Sequence, residues 1–257
     1  MYKAVVKIGG HAMTDQQLLA SCMQGVFFAK SVDKQVVLVH GGGPQINTLL
    51  ERLAVKSEFV NGLRKTDADT LAAVEMALCG QVNKKITRLL LAEGVDAVGI
   101  SGEDGNMLKA RVKDDSLGFV GAIFLVNPGI LTALLAAGYT PVVAPLATDS
   151  SWQPLNVNAD TAAGAIAGAL KADIFVLISD VPGVLDKNGN IVPTLDQSAI
   201  KSMIKDGTIN GGMIPKVECC LEALASGCKK TVILNGAKPR ALGELLVDDI
   251  CSGTVIS

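Results

Sequence analysis

Short apolar runs rich in β-branched residues recur along the chain. They fall at residues 4–8 (AVVKI), 36–39 (VVLV), 97–101 (AVGIS), 141–146 (PVVAPL), 174–179 (IFVLIS), 231–234 (TVIL) and 253–256 (GTVI). Between most of them, apolar residues return every three or four positions, the period of an amphipathic helix. These stretches are residues 15–31, 44–54, 68–80, 82–94, 129–138, 159–172, 211–227 and 239–246. Gly94, Gly138 and Gly227 follow the last periodic position of their segments, where a helix turns into a left-handed residue. Strand and helix in alternation predict parallel pairing with helices on both faces of the sheet. The strand runs are nearly all apolar, as expected when both faces are covered.

Two regions break the alternation. Residues 105–126 read as a hairpin-like excursion, and residues 183–195 carry a turn at Asn188-Gly189. No linker, repeat or low-complexity stretch divides the sequence. The pattern predicts one α/β domain over residues 1–257, with an N-terminal and a C-terminal lobe on one continuous sheet.

Composition narrows the function. Hydrophobic residues are 49% and charged residues 19%, as in an ordered globular protein. Lys+Arg 23 against Asp+Glu 25 gives a net charge of -2, without the basic excess of a protein that binds nucleic acid. The six cysteines contain no CxxC pair, and the two histidines, His11 and His40, offer no metal spacing. The cysteines read as small buried hydrophobes in a reducing compartment. The sequence shows no charged leader before an apolar run, and no apolar run of membrane-spanning length. A cytoplasmic protein is expected, with no metal site of its own, no nucleic-acid partner and no membrane partner.

The first two predicted strands both run into glycines: Gly9 and Gly10 after the first, and Gly41, Gly42 and Gly43 after the second. Ligands of an open parallel sheet collect beyond the carboxyl ends of the strands, near helix N-termini. There the first helical amides are unpaired and favour an anion, and glycine lets the anion approach the backbone. Pro44 suits the first position of the following helix. Tight turns needing positive φ are the plainer explanation. Three glycines before a proline-headed helix, with a second set on another strand, favour a phosphate or a carboxylate. The Walker pattern is absent, since no glycine precedes a lysine. The dinucleotide pattern also fails, because Ile46 stands where its last glycine should be.

Charged residues sit beside these turns. Lys7 lies within the first apolar strand, a costly place unless it meets an anion. Asn156, Asn158 and Asp160 alternate ahead of a small-residue helix, so an extended segment would aim all three to one side. Asp160 alone would serve as the helix N-cap. Lys216 follows Gly211 and Gly212, and Pro215 suggests a break or a ligand-lined mouth there. Arg64 could clamp a carboxylate with its planar fork.

The fragments KIGG, VHGGGPQI, NGLRKTD, LNVNADTAA, ISDVPGVL and GGMIPKV occur in this order over nearly the whole chain. Together they resemble the amino acid kinase family, and within it the members that act on N-acetyl-L-glutamate in arginine biosynthesis. The resemblance implies a three-layer α/β/α sandwich with a mainly parallel central sheet. It implies an acyl amino acid-binding lobe at about residues 1–150 and an ATP-binding lobe at residues 151–257. Lys7 and Lys216 would stabilise the phosphoryl group in flight, and Asp160 would orient both. Gly42, Gly43, Arg64, Asn156 and Asn158 would hold the acceptor, with Gly9, Gly10 and Gly41 at the phosphate. Ser179, Asp180, Val181, Pro182, Gly183 and Val184 would surround the nucleotide from one side. Thr208, Ile209, Asn210, Gly211, Gly212 and Met213 would do so from the other. ATP with Mg²⁺ is the implied phosphoryl donor, and a homodimer the implied assembly. Arginine-inhibited members carry an extra N-terminal helix, whereas this sequence opens on its first strand, which implies an arginine-insensitive form.

The implied reaction passes the γ-phosphoryl group of ATP to the γ-carboxylate of N-acetyl-L-glutamate. That carboxylate is ionised near neutral pH, so no general base is needed, in keeping with a sequence that has no obvious catalytic histidine. Alternatives are a kinase of carrier-bound aminoadipate or of carbamate, a nucleotide-dependent oxidoreductase, and a non-catalytic sensor of nucleotide or amino acid.

Overall fold

A computed structural model of the chain describes residues 1–9, 13–60, 62–236, 238 and 240–257. Gly10 and His11 therefore lie outside the described residues, and with them the second residue of the first glycine pair. The first half contains β1 (Lys3–Ile8), α1 (Gln16–Ser31), β2 (Gln35–His40), α2 (Gly43–Arg52), β3 (Phe59–Val60) and β4 (Leu63–Arg64). It continues with α3 (Ala68–Glu75), a π-helical turn (Met76–Val82), α4 (Asn83–Ala92), β5 (Ala97–Ser101), β6 (Leu108–Val112) and β7 (Gly121–Val126). Then come α5 (Gly129–Ala136), β8 (Thr140–Ala144), β9 (Leu146–Thr148), β10 (Pro154–Asn156), α6 (Ala159–Ala169) and β11 (Ile174–Ser179). The last elements are β12 (Thr194–Leu195), α7 (Gln197–Lys205), α8 (Met213–Ala225), β13 (Thr231–Asn235), α9 (Ala241–Asp248) and β14 (Thr254–Ile256).

Among the described residues, eight strands form one sheet in the order β12-β14-β13-β11-β1-β2-β8-β5. Every neighbouring pair is parallel except β13 with β14. The last strand thus departs from the parallel pattern its sequence suggested. Successive strand residues enter opposite cores. Val5, Val37, Val39 and Leu177 face α5, α6, α7 and α8, whereas Val6, Ile8, Leu38 and Val176 face α1, α4 and α9. The molecule is the expected three-layer α/β/α sandwich, and both sheet faces are covered by buried apolar side chains. β1 lies at its middle, with β2 on one side and β11 on the other. The chain order reverses there, so the carboxyl end of β1 is a topological switch point.

Gly94, Gly138 and Gly227 have φ of 81°, 90° and 112° and end their helices as the pattern predicted. Residues 105–126 do form a hairpin, β6 with β7. The turn at Asn188-Gly189 is closed by Gly189 N–H on the Asp186 carbonyl and by a bridge between Leu185 and Ile191.

Three predicted segments come out differently. The run at 141–146 is not one strand. Pro145, with no N–H to give a ladder, separates β8 from β9, and β9 joins a second sheet in the order β10-β9-β6-β7. The helices expected at 68–80 and 82–94 are one continuous rod, because the π-helical turn carries the backbone through Gly80 without a break. Pro44 is not the first residue of its helix; α2 opens at Gly43, with Gly42 as N-cap.

Candidate active site

The strand alternation that buries Val5 against α6 sends Lys7 to the same face. Its ammonium meets the head of α6, where Lys7 Nζ pairs with Asp160 Oδ1 at 2.6 Å. On the other oxygen, Lys216 Nζ donates to Asp160 Oδ2 at 3.3 Å. One carboxylate therefore gathers two ammonium groups from β1 and α8. Burial pushes the Asp160 carboxyl up, but Lys7 and then Lys216 outweigh it and hold the group below the usual carboxylate range. The trio carries two positive charges against one negative, so it attracts an anion.

Close helix packing brings Asp160 and Lys216 together. A Cβ on Gly164 of α6 would lie 2.8 Å from Cys219 Sγ on α8, and one on Gly168 would lie 2.4 Å from the Ser226 Cβ. Only glycine permits this approach. Cys219 Sγ then donates to the Asp160 carbonyl at 2.9 Å, tying α8 to the first turn of α6. Pro215 does not break α8. It is the third residue of the helix, where the missing N–H has no intrahelical partner to lose.

Asp160 is not the N-cap. Asn158 caps α6, its Oδ1 accepting from Asp160 N at 2.9 Å and Thr161 N at 3.1 Å. The extended segment ends at Asn158, so the three alternating polar residues divide their work. Asn156 and Asn158 line a neighbouring cavity of about 420 Å³, and Asp160 belongs to the lysines.

That cavity is bordered by Gly43 and Asn47 of α2 and by Phe59 and Arg64 of the β3–β4 hairpin. Arg64 is not a solvated loop residue; it is 7% exposed. Its guanidinium donates to Asn47 Oδ1 at 2.7 Å and to the Ser57 hydroxyl, and its Cζ lies 4.6 Å from the Phe59 ring centroid. Burial pulls its pKa down. Among the described residues it has no carboxylate partner, so an anion entering the cavity would meet a desolvated, oriented cation. Asn156 Nδ2 donates to Thr66 Oγ1 at 3.1 Å, which in turn donates to the Arg64 carbonyl at 2.8 Å.

Gly9, Gly41, Gly42 and Gly43 do not adopt left-handed φ, and at Gly42 it is space that demands glycine. Gly42 has φ 179°, which any residue adopts, but a Cβ there would lie 2.6 Å from Leu78 Cδ2 of the π-helical turn. Gly43 has open space around its missing Cβ and faces the cavity. A Cβ on Gly9 would lie 3.3 Å from Lys7 Nζ. Gly41 N–H donates to the Ile8 carbonyl at 3.0 Å, so the ends of β1 and β2 are joined.

The remaining candidates form two loops. Ser179 ends β11, its Oγ donating to Asp180 Oδ1 at 3.1 Å, and Val181, Pro182 and Gly183 follow. Thr208 is fastened to Asp206 Oδ1 through its amide and hydroxyl, and Asn210 Nδ2 donates to the Gly207 carbonyl. Gly211 has φ 51°, and Gly212 is the N-cap of α8 with no side-chain cap, three residues before Pro215. Val184 and Ile209 bury their side chains in the core, leaving only main chain to face a ligand. Asn47, Ser57, Phe59 and Thr66 escaped sequence reasoning. Asn47 had a signal: it stands four residues after Gly43, on the same helix face. The hairpin residues had none, because two-residue strands leave no periodicity.

Among the described residues, no group of three His, Cys, Asp or Glu side chains could hold a metal ion, and no helix is long and apolar enough to cross a membrane.

Known proteins share this architecture. The model of the "Amino acid kinase family" matches residues 3–235. The acetylglutamate kinase of Methylobacterium nodulans is 46% identical, over 98% of this chain and 87% of that protein. The acetylglutamate kinase of Campylobacter curvus is also 46% identical, over 98% of this chain and 90% of its own length. A Streptococcus mutans protein of solved structure superposes with a TM-score of 0.81 at 30% identity, covering 99% of this chain and 98% of that one. With the motifs, the sandwich and the Lys7–Asp160–Lys216 cluster all in place, the chain belongs to the amino acid kinase family.

Proposed function

We propose that the protein transfers the γ-phosphoryl group of ATP to the γ-carboxylate of N-acetyl-L-glutamate, giving N-acetyl-glutamyl 5-phosphate for arginine biosynthesis. The observation that carries this reading is one carboxylate, Asp160, holding two ammonium groups beside a cavity with a buried, unneutralised arginine. The relatives that bear the name acetylglutamate kinase support the choice of acceptor.

In this reading Arg64 receives the α-carboxylate, and Gly43, Asn156 and Asn158 shape the rest of the acceptor site. The γ-carboxylate oxygen attacks the γ-phosphorus, the bond to the β–γ bridging oxygen breaks, and ADP leaves. Two anions must meet, and negative charge stays on the equatorial oxygens throughout. Lys7 and Lys216 leave part of their hold on Asp160 to those oxygens, while Asp160 keeps them aligned. Amides at the heads of α2 and α8 replace water around the reacting groups. Residues 179–184 and 208–213 hold the nucleotide, and Mg²⁺ enters as part of the MgATP substrate. Residues 1–150 act chiefly as the acceptor lobe and 151–257 as the nucleotide lobe, in a homodimer working in the cytoplasm.

The test is ATP consumption with a panel of acids in the presence of hydroxylamine, which traps acyl phosphates as hydroxamates. N-acetyl-L-glutamate should give ADP and hydroxamate in equal amounts, far above glutamate, aminoadipate and carbamate. Equal or better turnover of another acid, or no hydroxamate at all, overturns the reading.

A further inference from the structure

His40 ends β2 and is fully buried, yet no step of the reaction uses it. Its Nδ1 lies 3.0 Å from the Gly41 carbonyl oxygen, and its Nε2 lies 3.2 Å from Asn83 Nδ2. Asn83 opens α4 directly after the π-helical turn and is 1% exposed. The orientation of its amide is settled by two carbonyls. Nδ2 also lies 2.8 Å from the Val142 oxygen and 3.1 Å from the Ile100 oxygen, so nitrogen rather than oxygen must face them. An amide nitrogen cannot accept, so Asn83, with two N–H groups shared among Val142, Ile100 and His40, offers no acceptor for an Nε2–H, and Nε2 is the bare ring nitrogen. The one ring proton of a neutral imidazole then sits on Nδ1 and is donated to the Gly41 carbonyl. A proton on both nitrogens would set N–H against N–H. Burial pushes the His40 pKa down to about 4, in the same sense. Gly99 makes the room, since a Cβ there would lie 2.0 Å from Asn83 Oδ1.

The Gly41 carbonyl and the Gly42 N–H are opposite edges of one planar trans peptide. Fixing the first sets the direction of the second. Gly41 N–H is tied to Ile8, and Gly42 is pressed against Leu78, so the turn between β2 and α2 is restrained at three points.

We propose that His40, as the neutral Nδ1–H tautomer keyed by Asn83, is a positioning residue that orients the Gly41–Gly42 peptide toward the acceptor's reacting carboxylate. This rests on the acceptor site of the preceding subsection. His40 acts through Gly41 and touches neither substrate.

Two measurements test it. The sequence has two histidines, so ¹⁵N-labelled protein gives two imidazole patterns, assigned with His11→Gln. His40 should show a protonated Nδ1 and a bare Nε2, without titrating between about pH 5 and 8. A protonated Nε2, or a midpoint near the ordinary value of about 6.5, overturns the proposal. In kinetics, His40→Leu should lower kcat/KM for the acceptor by about tenfold or more with the ATP KM within about twofold, and His40→Asn, which keeps a donor in the place of Nδ1, should recover most of that loss. An unchanged Leu variant, or an Asn variant no better than Leu, overturns it. If His40→Leu fails to fold, the wild-type spectrum and His40→Asn decide. If the wild-type protein phosphorylates no acylglutamate, the function is wrong, and the spectrum still tests the tautomer separately.

Discussion

Gly164 of α6 lies so close to Cys219 of α8 that a Cβ on the glycine would stand 2.8 Å from the cysteine sulfur. The same sulfur donates to the Asp160 carbonyl at 2.9 Å. The spacing of two helices is thus the spacing of Asp160 from Lys216. Gly164→Ala should push α8 outward and lower stability by about 1–3 kcal/mol, the usual cost of overpacking a core. It should also lower kcat, because the ion pair to Lys216 lengthens. Adding Cys219→Ala removes the obstructing sulfur and should recover part of both. Urea unfolding beside steady-state kinetics checks this. A stability loss with kcat untouched would separate the helix contact from the site.

Lys7→Ala should act on turnover. Lys7 reaches Asp160 from the middle of the sheet; in the proposed reaction its loss would leave the phosphoryl group with Lys216 alone. Removing one preorganised donor to a transition-state oxyanion typically costs about 10²–10³ in kcat. Both KM values should move far less. Lys7→Arg should not rescue activity, because a larger, planar guanidinium must fit a buried site where even a Cβ on Gly9 would lie 3.3 Å from the ammonium. An unchanged kcat removes Lys7 from the mechanism.

The sandwich was legible because its strands are long enough to show apolar runs and its helices end on glycine. The cluster at Lys7 was legible for a related reason: a lysine inside an apolar strand demands an anion. What escaped was set by contacts across the fold. Asn158 rather than Asp160 caps α6, because Lys7 and Lys216 claim the aspartate. Gly42 is required by Leu78, thirty-six positions away along the sequence (78 − 42), and no local pattern carries that information. Helix α7 was overlooked although Asp196 caps it through Ala199 N and Ile200, Met203 and Ile204 meet the core at helical spacing, since only Ile200 of these is fully buried and the run is nine residues long. The β3–β4 hairpin, which presents Arg64, is too short for any period to appear.

Arg64→Ala should raise the acceptor KM by about 10–100-fold, the effect of losing a charge-assisted bidentate bond, and leave the ATP KM nearly unchanged. Arg64→Lys should restore little. Asn47, Ser57 and Phe59 hold a planar fork, and an ammonium cannot occupy all three contacts. Initial-rate kinetics with each substrate varied in turn gives the answer. An effect confined to ATP would reverse the assignment of the two lobes.

His40 also makes a prediction about stability against pH. Its folded pKa is depressed to about 4 by burial, while the unfolded imidazole titrates near its ordinary value of 6.5. Below that value the unfolded chain binds a proton that the folded chain refuses, so the contribution is complete above about pH 6.5 and is lost as pH falls toward 4. Between about pH 7 and pH 4.5 the loss amounts to about 2–3 kcal/mol. Asp160 runs in a lower window. Its carboxyl is held below the usual range, so its contribution is full above the ordinary carboxylate range and is lost as the pH falls from there toward the folded value. Glu103, pushed up by burial and by the charge of Glu75, has the opposite sign and gains as pH falls. Comparing wild type with His40→Asn cancels these carboxylates. Urea midpoints measured across this range should show the wild type losing stability more steeply than the variant by that amount. Parallel curves would mean that His40 is protonated within the folded protein.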